Sequence, residues 1–323
     1  MRWMQLPEFS LIIPVYQVKD YLVECLESVF CQIPADVQVI LVDDGSTDGS
    51  GEICDQYAQK YPQIEVIHQR NQGVAAARNA GLAAAKGEYL LWVDPDDRVA
   101  KNWFLAIEQI VKKEAPDLIV FDSVRFSELE KKVERYGRRS GNVEKDFFVG
   151  DLLRDIRMLS GLPNKVFRRS AFQNLKFDTE LQMLEDYMIM PLLLQRMNKI
   201  WYIPQALYEY RQRQTSLLHS WSPEKGLCCV ELARTRQEKV PQCYKQSALI
   251  GTTVQAFFYC RTMALVSENA EQDSFFQKCK LYIHNHLGEI CFDANVPVIW
   301  KIKIVLFDKN ILIPIVRYKA RRR

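Results

Sequence analysis

The chain has 323 residues, a hydrophobic share of 48% and a net charge of +3 from 43 basic and 40 acidic residues. These values exclude a disordered chain, a collagen-like fibre and a multi-pass membrane protein, and they argue against a dedicated nucleic-acid binder. The length predicts one large α/β domain with an appendage, or two small domains.

The nine cysteines favour a cytoplasmic chain. They include no Cys-x-x-Cys pair and no zinc-finger spacing with histidine, so we interpret them as reduced thiols. The short apolar run Leu11–Val15 lacks the length of a signal-peptide core, and no uninterrupted apolar run approaches the roughly 18–20 residues that span a bilayer. We expect a protein that stays in the cytosol and can touch a membrane.

The first 125 residues alternate between short apolar runs and amphipathic helical segments. The predicted strands are 9–15, 37–42, 64–67, 88–93 and 117–121. The predicted helices are 18–29, 48–60, 75–86 (closed by Gly87) and 101–113. Strands separated by such helices indicate a mainly parallel sheet that is covered on both faces.

The rest of the chain is less regular up to about residue 215 and then helical from Ser222 onward. The predicted elements of the irregular part are a charged hairpin or loop at 128–139, a helix at 186–197 and strands at 199–203 and 207–210. These patterns carry no chemistry by themselves.

Polar residues follow three of the predicted strands, at Pro14–Tyr16, Asp43–Ser46 and Asp94–Asp97. Open parallel sheets bind ligands outside the carboxyl ends of their strands. One Asp-Gly after a strand is usually only a turn, but two acidic clusters at successive strand ends repel each other unless a cation or ligand offsets the charge. Their oxygens suit Mg²⁺ or Mn²⁺ with a phosphate completing the shell.

Two nucleotide-binding patterns are missing from the sequence. No Gly-x-Gly-x-x-Gly follows the first strand, and there is no P-loop. Tyr16 stands there instead, either to stack on a planar base or as a buried aromatic residue at a strand end.

Four segments resemble, in order and spacing, the family 2 glycosyltransferases with the GT-A fold. They are Ser10–Tyr16, Val42–Asp48, Asn71–Gly81 and Gly87–Asp97. Three shorter segments look like the acceptor-side half of bacterial members of this family: Asn164–Ser170, Glu185–Asp186 and Tyr210–Arg213.

The resemblance implies an α/β GT-A domain, a mainly parallel sheet flanked by helices, over residues 1–215. Its nucleotide-sugar half covers about 9–125 and its acceptor half about 126–215. A helical C-terminal region, 216–323, would end in a basic amphipathic tail.

The resemblance also implies a donor pocket. Asp44 would accept a hydrogen bond from the uracil ring, and Pro14, Val15 and Tyr16 would form the base pocket. Arg78 would lie near the diphosphate or order the acidic loop, and a salt bridge to one of the aspartates is the competing interpretation.

Asp94 and Asp96 match the family's Asp-x-Asp signature. Asp96 would bind the divalent metal, Mn²⁺ or Mg²⁺, and Asp94 the ribose or the metal through water. Many relatives carry Ser or Ala where this chain has Pro95, which stiffens the turn without removing a ligand.

On the acceptor side, the resemblance makes Asp186 the general base, with Glu185 positioning the acceptor and Asn164 and Lys165 facing it. Acidic residues are also common at a helix N-terminus simply because they favour its dipole. The pattern departs from the family at Pro163, where many relatives have Trp.

Arg211 and Arg213 could clamp the diphosphate, because guanidinium groups suit phosphate oxygens. Ordinary surface arginines are the competing interpretation.

The implied activity is that of an inverting, metal-dependent hexosyltransferase. It would move a sugar from a nucleotide-diphosphate donor, a UDP-sugar, to a hydroxyl of a growing, lipid-linked glycan in capsule or cell-surface polysaccharide synthesis. The alternatives are a catalytically degenerate accessory subunit of a partner glycosyltransferase, a nucleotidyltransferase and a glycoside hydrolase. Self-association into a homo-oligomer is also open.

The C-terminal segment 297–318 places apolar residues among basic ones, and the chain ends Arg317–Arg323. Residues 301–323 carry +7, so the remaining 300 residues carry −4. This pattern predicts an interfacial segment for an anionic bilayer, and thus a peripheral protein on the inner face of the cell membrane. A packing helix followed by a solvated basic tail is the alternative.

Overall fold

The computed structural model describes residues 8–127, 130–136, 140–156, 160–181, 183–212 and 222–315. The chain divides into two compact units. The first consists of Met1–Lys145 and Ser160–Arg213, and the second of Asp146–Leu159 and Gln214–Arg323. The sequence places residues 146–159 in the acceptor half, whereas the structure assigns them to the second unit.

The first unit contains the strands. They are β1 Phe9–Val15, β2 Gln38–Asp43, β3 Ile64–His68, β4 Tyr89–Trp92, β5 Arg98–Val99, β6 Leu118–Phe126, β7 Lys131–Glu134, β8 Gly141–Val143, β9 Lys165–Arg168 and β10 Ile200–Arg211. The helices, numbered through both units, are α1 Lys19–Phe30, α2 Ser50–Lys60, α3 Val74–Ala84, α4 Trp103–Glu114, α5 Lys145–Leu153, α6 Glu185–Gln195, α7 Pro223–Lys239, α8 Lys245–Val266, α9 Ser274–Asn285, α10 Leu287–Phe292 and α11 Val298–Asp308.

The strands form one sheet in the order β3-β2-β1-β4-β9-β6-β10-β5, with β7 beside β6 and β8 beside β10. The pairs β1–β2, β2–β3, β1–β4 and β6–β10 are parallel, and β9 runs antiparallel between β4 and β6. The carboxyl ends of β1, β2 and β4 therefore share one edge of the sheet, and the three polar clusters follow them there. The predicted α/β sheet with a helical C-terminal region is confirmed.

Close backbone approaches fix β1 against its neighbours. A Cβ atom at Gly81 in α3 would lie 2.4 Å from Cγ2 of Ile12, and one at Gly87 would lie 2.5 Å from main-chain atoms of Phe9 and Ser10. The prediction that Gly87 closes the helix is wrong, because α3 ends at Ala84 and Ala85 is already extended. Gly87 is required by the approach of the chain to β1 rather than by a helix end.

The sequence and the structure differ most in β9 and β10. The sequence predicts a break between two strands at Pro204, but β10 continues through it. The register against β6 shifts on either side of Ala206, and Pro204 and Gln205 are exposed, so the strand bulges around the proline. β9 lies in the middle of the sheet, yet its four residues begin with a lysine and end with an arginine. It therefore contains no apolar run long enough to predict a strand.

The second unit has an apolar core of its own, to which α8, α9 and α11 contribute. One helical segment of the described chain, Gln242–Val266, is long and apolar enough to cross a membrane by length and composition, a feature the sequence analysis did not identify. Of its most apolar window, 61% is buried, and Val254, Phe257 and Cys260 are core residues. Its packing is that of a core helix.

Candidate active site

The first loop of the site follows β1. Pro14 and Val15 end the strand and are buried, and Tyr16 comes next with 46% of its surface exposed. The amide of Gln17 donates to Oγ of Ser46 (3.2 Å), which joins this loop to the loop after β2. A buried role for Tyr16 is therefore wrong, and its ring is available to stack on a ligand.

Asp44 organises the loop that precedes α3. Its buried carboxylate accepts hydrogen bonds from Nε2 of Gln69 (2.7 Å) and from the amides of Gln72 (3.0 Å) and Gly73 (2.8 Å). Gly73 has a φ of +88°, which glycine adopts readily. The structure thus gives Asp44 a loop-ordering role, and the contact with uracil stays a prediction.

Asp43 has a different set of partners. It accepts hydrogen bonds from the amide of Ser46 (3.0 Å) and lies 2.9 Å from Nδ1 of His68. Nε2 of His68 lies 3.0 Å from Asp55, and hydrogen bonds to the two carboxylates raise the pKa of His68. The sequence analysis did not single out His68, although its place at the end of β3 puts it on the ligand-binding edge.

The third loop is a tight turn fixed from β10. The amide of Asp97 donates to the carbonyl of Asp94 (3.1 Å), with Pro95 at the second position, where turns favour proline. The Tyr208 hydroxyl accepts from the amide of Asp94 (3.0 Å) and donates to Asp97 (2.9 Å). Sequence reasoning missed Tyr208, because a tyrosine in an apolar strand is equally typical of a core.

The carboxylates of this loop are electrostatically crowded. Burial raises the pKa of Asp97 well above its usual range, and Asp94 and Asp96 raise it further. Burial also raises the pKa of Asp94; Arg78 opposes this, and the charges of Asp96 and Asp186 add to it. Asp186, predicted for the acceptor side, therefore lies within electrostatic reach of Asp94.

Arg78 connects the two sides of the site. Its buried guanidinium donates to Asp94 (Nη2 to Oδ1, 3.3 Å) and to Oε1 of Glu185. Phe177 lies under the guanidinium, with its ring centroid 5.9 Å away. The predicted salt bridge to an aspartate is confirmed, and the bond to Glu185 adds an acceptor-side partner that sequence spacing did not indicate.

Asp186 stands in the first turn of α6. It is half-buried, and its Oδ1 accepts a hydrogen bond from the amide of Tyr187 (2.7 Å). A Cβ atom at Gly161 would lie 3.9 Å from Oδ2 of Asp186, so the absence of a side chain there leaves space beside this oxygen. The role of Asp186 as general base stays a prediction.

Lys165 and Asn164 are buried, each with 1% of its surface exposed. Nζ of Lys165 donates to the carbonyl of Gly161 (2.6 Å) and to Oδ1 of Asn164 (2.8 Å). Burial lowers the pKa of Lys165 to about 7, and the charge of Asp186 opposes that shift. Their predicted contact with an acceptor stays a prediction; in this structure Lys165 holds Gly161 and Asn164, and its charge interacts with that of Asp186.

Arg211 borders the acidic turn. Its amide donates to Asp97 (2.7 Å), its Nε donates to the carbonyl of Asp96 (2.9 Å), and its Nη2 pairs with Glu24. These contacts join Arg211 to the acidic turn, and clamping of the diphosphate stays a prediction. Arg213, its predicted partner, lies outside the described residues.

Asp94 and Asp96 are the residues present to hold the predicted divalent metal. Asp94 is partly exposed (31% of its side chain), and Asp96 is half-buried beside it. These are the hard oxygen donors that Mg²⁺ and Mn²⁺ prefer. Within the described ranges, no three His, Cys, Asp or Glu side chains form a group that could hold a metal ion by themselves. The residues fit a metal whose shell is completed by ligand oxygens.

Two named proteins are similar to this chain in sequence. The chain is 31% identical over 226 residues to the glycosyltransferase GlyG of Streptococcus pneumoniae, covering 65% of this chain and 73% of that protein. It is 32% identical over 216 residues to the minor teichoic acid biosynthesis protein GgaB of Bacillus subtilis, covering 64% of this chain but only 23% of that much longer protein.

The fold also matches a solved structure. S. aureus TarS 1–349 in complex with UDP-GlcNAc superposes with a TM-score of 0.65 at 21% identity, over 98% of this chain and 92% of that chain. This likeness confirms the predicted GT-A type of fold. The family model of glycosyl transferase family 2 matches residues 10–176, just over half of the chain. The chain therefore belongs to glycosyl transferase family 2.

Proposed function

We propose that this glycosyltransferase moves a hexose from a UDP-sugar to a hydroxyl of a growing, lipid-linked glycan, with inversion at the anomeric carbon. The observation that carries the proposal is the juxtaposition of two acidic groups. Asp94 and Asp96 follow β4, and Asp186 lies in the first turn of α6, where its charge acts on Asp94. One group suits a donor diphosphate with its metal, and the other suits an acceptor hydroxyl.

Asp186 is the proposed general base. A carboxylate within hydrogen-bond reach of the acceptor hydroxyl can remove its proton as the oxygen attacks. The space beside Oδ2, opposite Gly161, is where we place that hydroxyl. One attack from this side, with the nucleoside diphosphate leaving on the other, inverts the anomeric centre.

Asp94 and Asp96 are the proposed metal ligands. A divalent cation bound there would offset the charge that develops on the departing diphosphate. Arg78 keeps Asp94 oriented, and the hydroxyl of Tyr208 fixes the turn from below. These contacts hold the loop before the donor binds, so little reorganisation remains for the reaction.

The donor assignment rests on the first two loops. The exposed ring of Tyr16 offers a stacking surface for a base, and TarS, which shares the fold, was solved with UDP-GlcNAc. The acceptor assignment rests on a relative named for teichoic acid biosynthesis. We propose a role in capsule or another cell-surface polysaccharide on these grounds.

The test is a donor screen with the purified chain. Mn²⁺, a panel of UDP-, GDP- and dTDP-sugars and a synthetic glycan on a lipid diphosphate are supplied, and nucleoside diphosphate release and glycan product are measured. We expect release and product with a UDP-sugar, and loss of both with EDTA.

The matched variant is Asp96→Asn, which keeps the side-chain volume and removes the charge. It should weaken Mn²⁺ binding in the presence of UDP at least about tenfold. Pyrophosphate made from UTP and a sugar 1-phosphate would identify a nucleotidyltransferase instead. Absence of any Mn²⁺–UDP binding by the wild type would identify an accessory subunit.

A further inference from the structure

Helix α11 in the second unit has two apolar faces. Ile304 and Phe307 are buried in the core of that unit. Val298, Ile299 and Ile302 are 69%, 56% and 47% exposed. In a helix with 3.6 residues per turn, residues 298, 299 and 302 lie on the side opposite to residues 304 and 307. The helix therefore packs with one face and presents a second apolar face to solvent.

Exposed apolar residues also flank α11 along the chain. Phe292 precedes the helix and is 90% exposed, and Ile311 and Ile315 follow it at 49% and 43%. Single exposed apolar residues are common on protein surfaces, but a group of large ones usually marks a binding surface. We define the α11 face as Val298, Ile299 and Ile302 together with Lys301 and Lys303.

The charge of the α11 face is positive. Lys301 and Lys303 lie on either side of Ile302 around the helix, and neither forms a salt bridge with a described residue. The acid of the helix, Asp308, is only 4% exposed and bonds to His284 (2.8 Å). The sequence from residue 316 onward adds five more basic residues and no acidic one.

We propose that the α11 face docks on an anionic lipid bilayer, with α11 lying in the plane of the interface. An apolar stripe bordered by lysines matches such a surface, because the stripe enters the acyl boundary while the lysines meet the headgroups. At 11 residues, about 16 Å, the helix is too short to span a bilayer. A second copy of the chain is a poorer occupant, because two such faces would bring their lysines together.

Surface substitutions, rather than a deletion, are required to test the docking of the α11 face. Deleting α11 would remove Ile304 and Phe307 from the core of the second unit. The full-length chain is sedimented with vesicles of phosphatidylcholine alone or of phosphatidylcholine mixed with phosphatidylglycerol. We expect binding to the anionic vesicles that weakens as salt is added.

Two double variants separate the apolar and the charged contributions. Ile299→Ser with Ile302→Ser should weaken vesicle binding at least about tenfold. Lys301→Gln with Lys303→Gln should weaken it by about fivefold per lysine. The controls alter exposed residues of α4: Leu105→Ser, and Lys112→Gln with Lys113→Gln, should bind as the wild type does.

Vesicle binding that the α11 variants leave unchanged would overturn the proposal, as would equal binding to both vesicle types. Size-exclusion chromatography of the same proteins tests whether a second copy of the chain binds the α11 face instead. A wild-type dimer that Ile299→Ser with Ile302→Ser dissociates would show that the face joins two copies and would also overturn the proposal. Sugar transfer is not measured, so the outcome is independent of the proposed activity.

Discussion

Arg78 neutralises two acidic residues that lie far apart in the sequence. Its partners, Asp94 and Glu185, are 16 and 107 positions away. Arg78→Met would leave Glu185, which is 5% exposed, without a counter-ion. We predict a loss of about 3–5 kcal/mol in the free energy of unfolding, measured by urea titration.

The reason for that loss can be checked in the same experiment. Adding Glu185→Gln to Arg78→Met should recover part of the stability, because the uncompensated charge disappears. Arg261→Met, at an exposed position, should stay within about 0.5 kcal/mol of the wild type. Strictly additive losses from Arg78→Met and Glu185→Gln would show that the two side chains do not depend on each other.

Lys165 should make stability depend on pH. Its pKa is about 7 in the folded chain and near its ordinary value of 10.5 when unfolded. Between these values the unfolded state binds more protons, so the free energy of unfolding rises with pH. We predict that the wild type gains stability relative to Lys165→Met from pH 7 to pH 10, by at most about 1.4 kcal/mol per pH unit. A constant difference across this range would contradict the buried, shifted lysine.

The sequence predicts which side chains of the site follow the strands. It does not predict which side chains reach the site from other elements. Asp44, Asp94 and Asp96 follow strands, so their common edge is predictable from the order of the elements. Tyr208 reaches the same loop from β10, and only the folded sheet shows that its hydroxyl bonds to Asp97.

Among the elements, the contact between the chain at Gly87 and β1 permits a sharp test. The two nearest atoms that a Cβ would meet there belong to the main chain of Phe9 and Ser10 and cannot rotate away. Gly87→Ala should therefore lower the free energy of unfolding by about 1–3 kcal/mol. Gly288→Ala in α10, where a Cβ would meet nothing within 4 Å, should be neutral or stabilising by up to about 1 kcal/mol.

Thermal or urea unfolding of the two variants gives the comparison. Equal stability of Gly87→Ala and Gly288→Ala would mean that the chain does not approach β1 as closely as the structure shows.

The strands that the sequence predicts well are those buried on both faces. All residues of β1 and β4 are buried, and their apolar runs therefore stand out. β9 also lies in the middle of the sheet, but it has charged residues at both ends. Lys165 donates to the carbonyl of Gly161 and Arg168 pairs with Asp117, and a pattern of hydrophobicity does not reveal such contacts.

Each of the two units contains an apolar core cluster of its own residues, so we expect a defect in one unit to loosen mainly that unit. Within the second unit, Arg236 is 2% exposed and bonds to Asp155 (2.6 Å) and to the carbonyl of Leu153 (3.0 Å). We predict that Arg236→Met speeds hydrogen exchange in α7 and α8 and leaves exchange in β1 and β2 unchanged. An equal increase in both units would show that they unfold as one.

The boundary between the two units cannot be predicted from the order of the motifs along the chain. Residues 146–159 precede the Asn164–Ser170 motif in the chain, so the sequence analysis groups them with the acceptor half. Their buried pairs, Arg154 with Asp293 (3.1 Å) and Asp155 with Arg236, tie them to the helical unit instead. Partners separated by 81 and 139 positions leave no signal in local composition.

In the proposed reaction, Asp186 removes the acceptor proton while the residues after β4 hold the donor. The direct measurement is sugar transfer by the wild type and by Asp186→Asn, with the donor found in the screen and the anomeric configuration of the product read by NMR. We predict an inverted product from the wild type and a loss of about 10²–10⁴-fold in rate for Asp186→Asn, with UDP–Mn²⁺ binding and melting temperature retained. Full transferase activity in a folded Asp186→Asn chain, or a product with retained configuration, would contradict it.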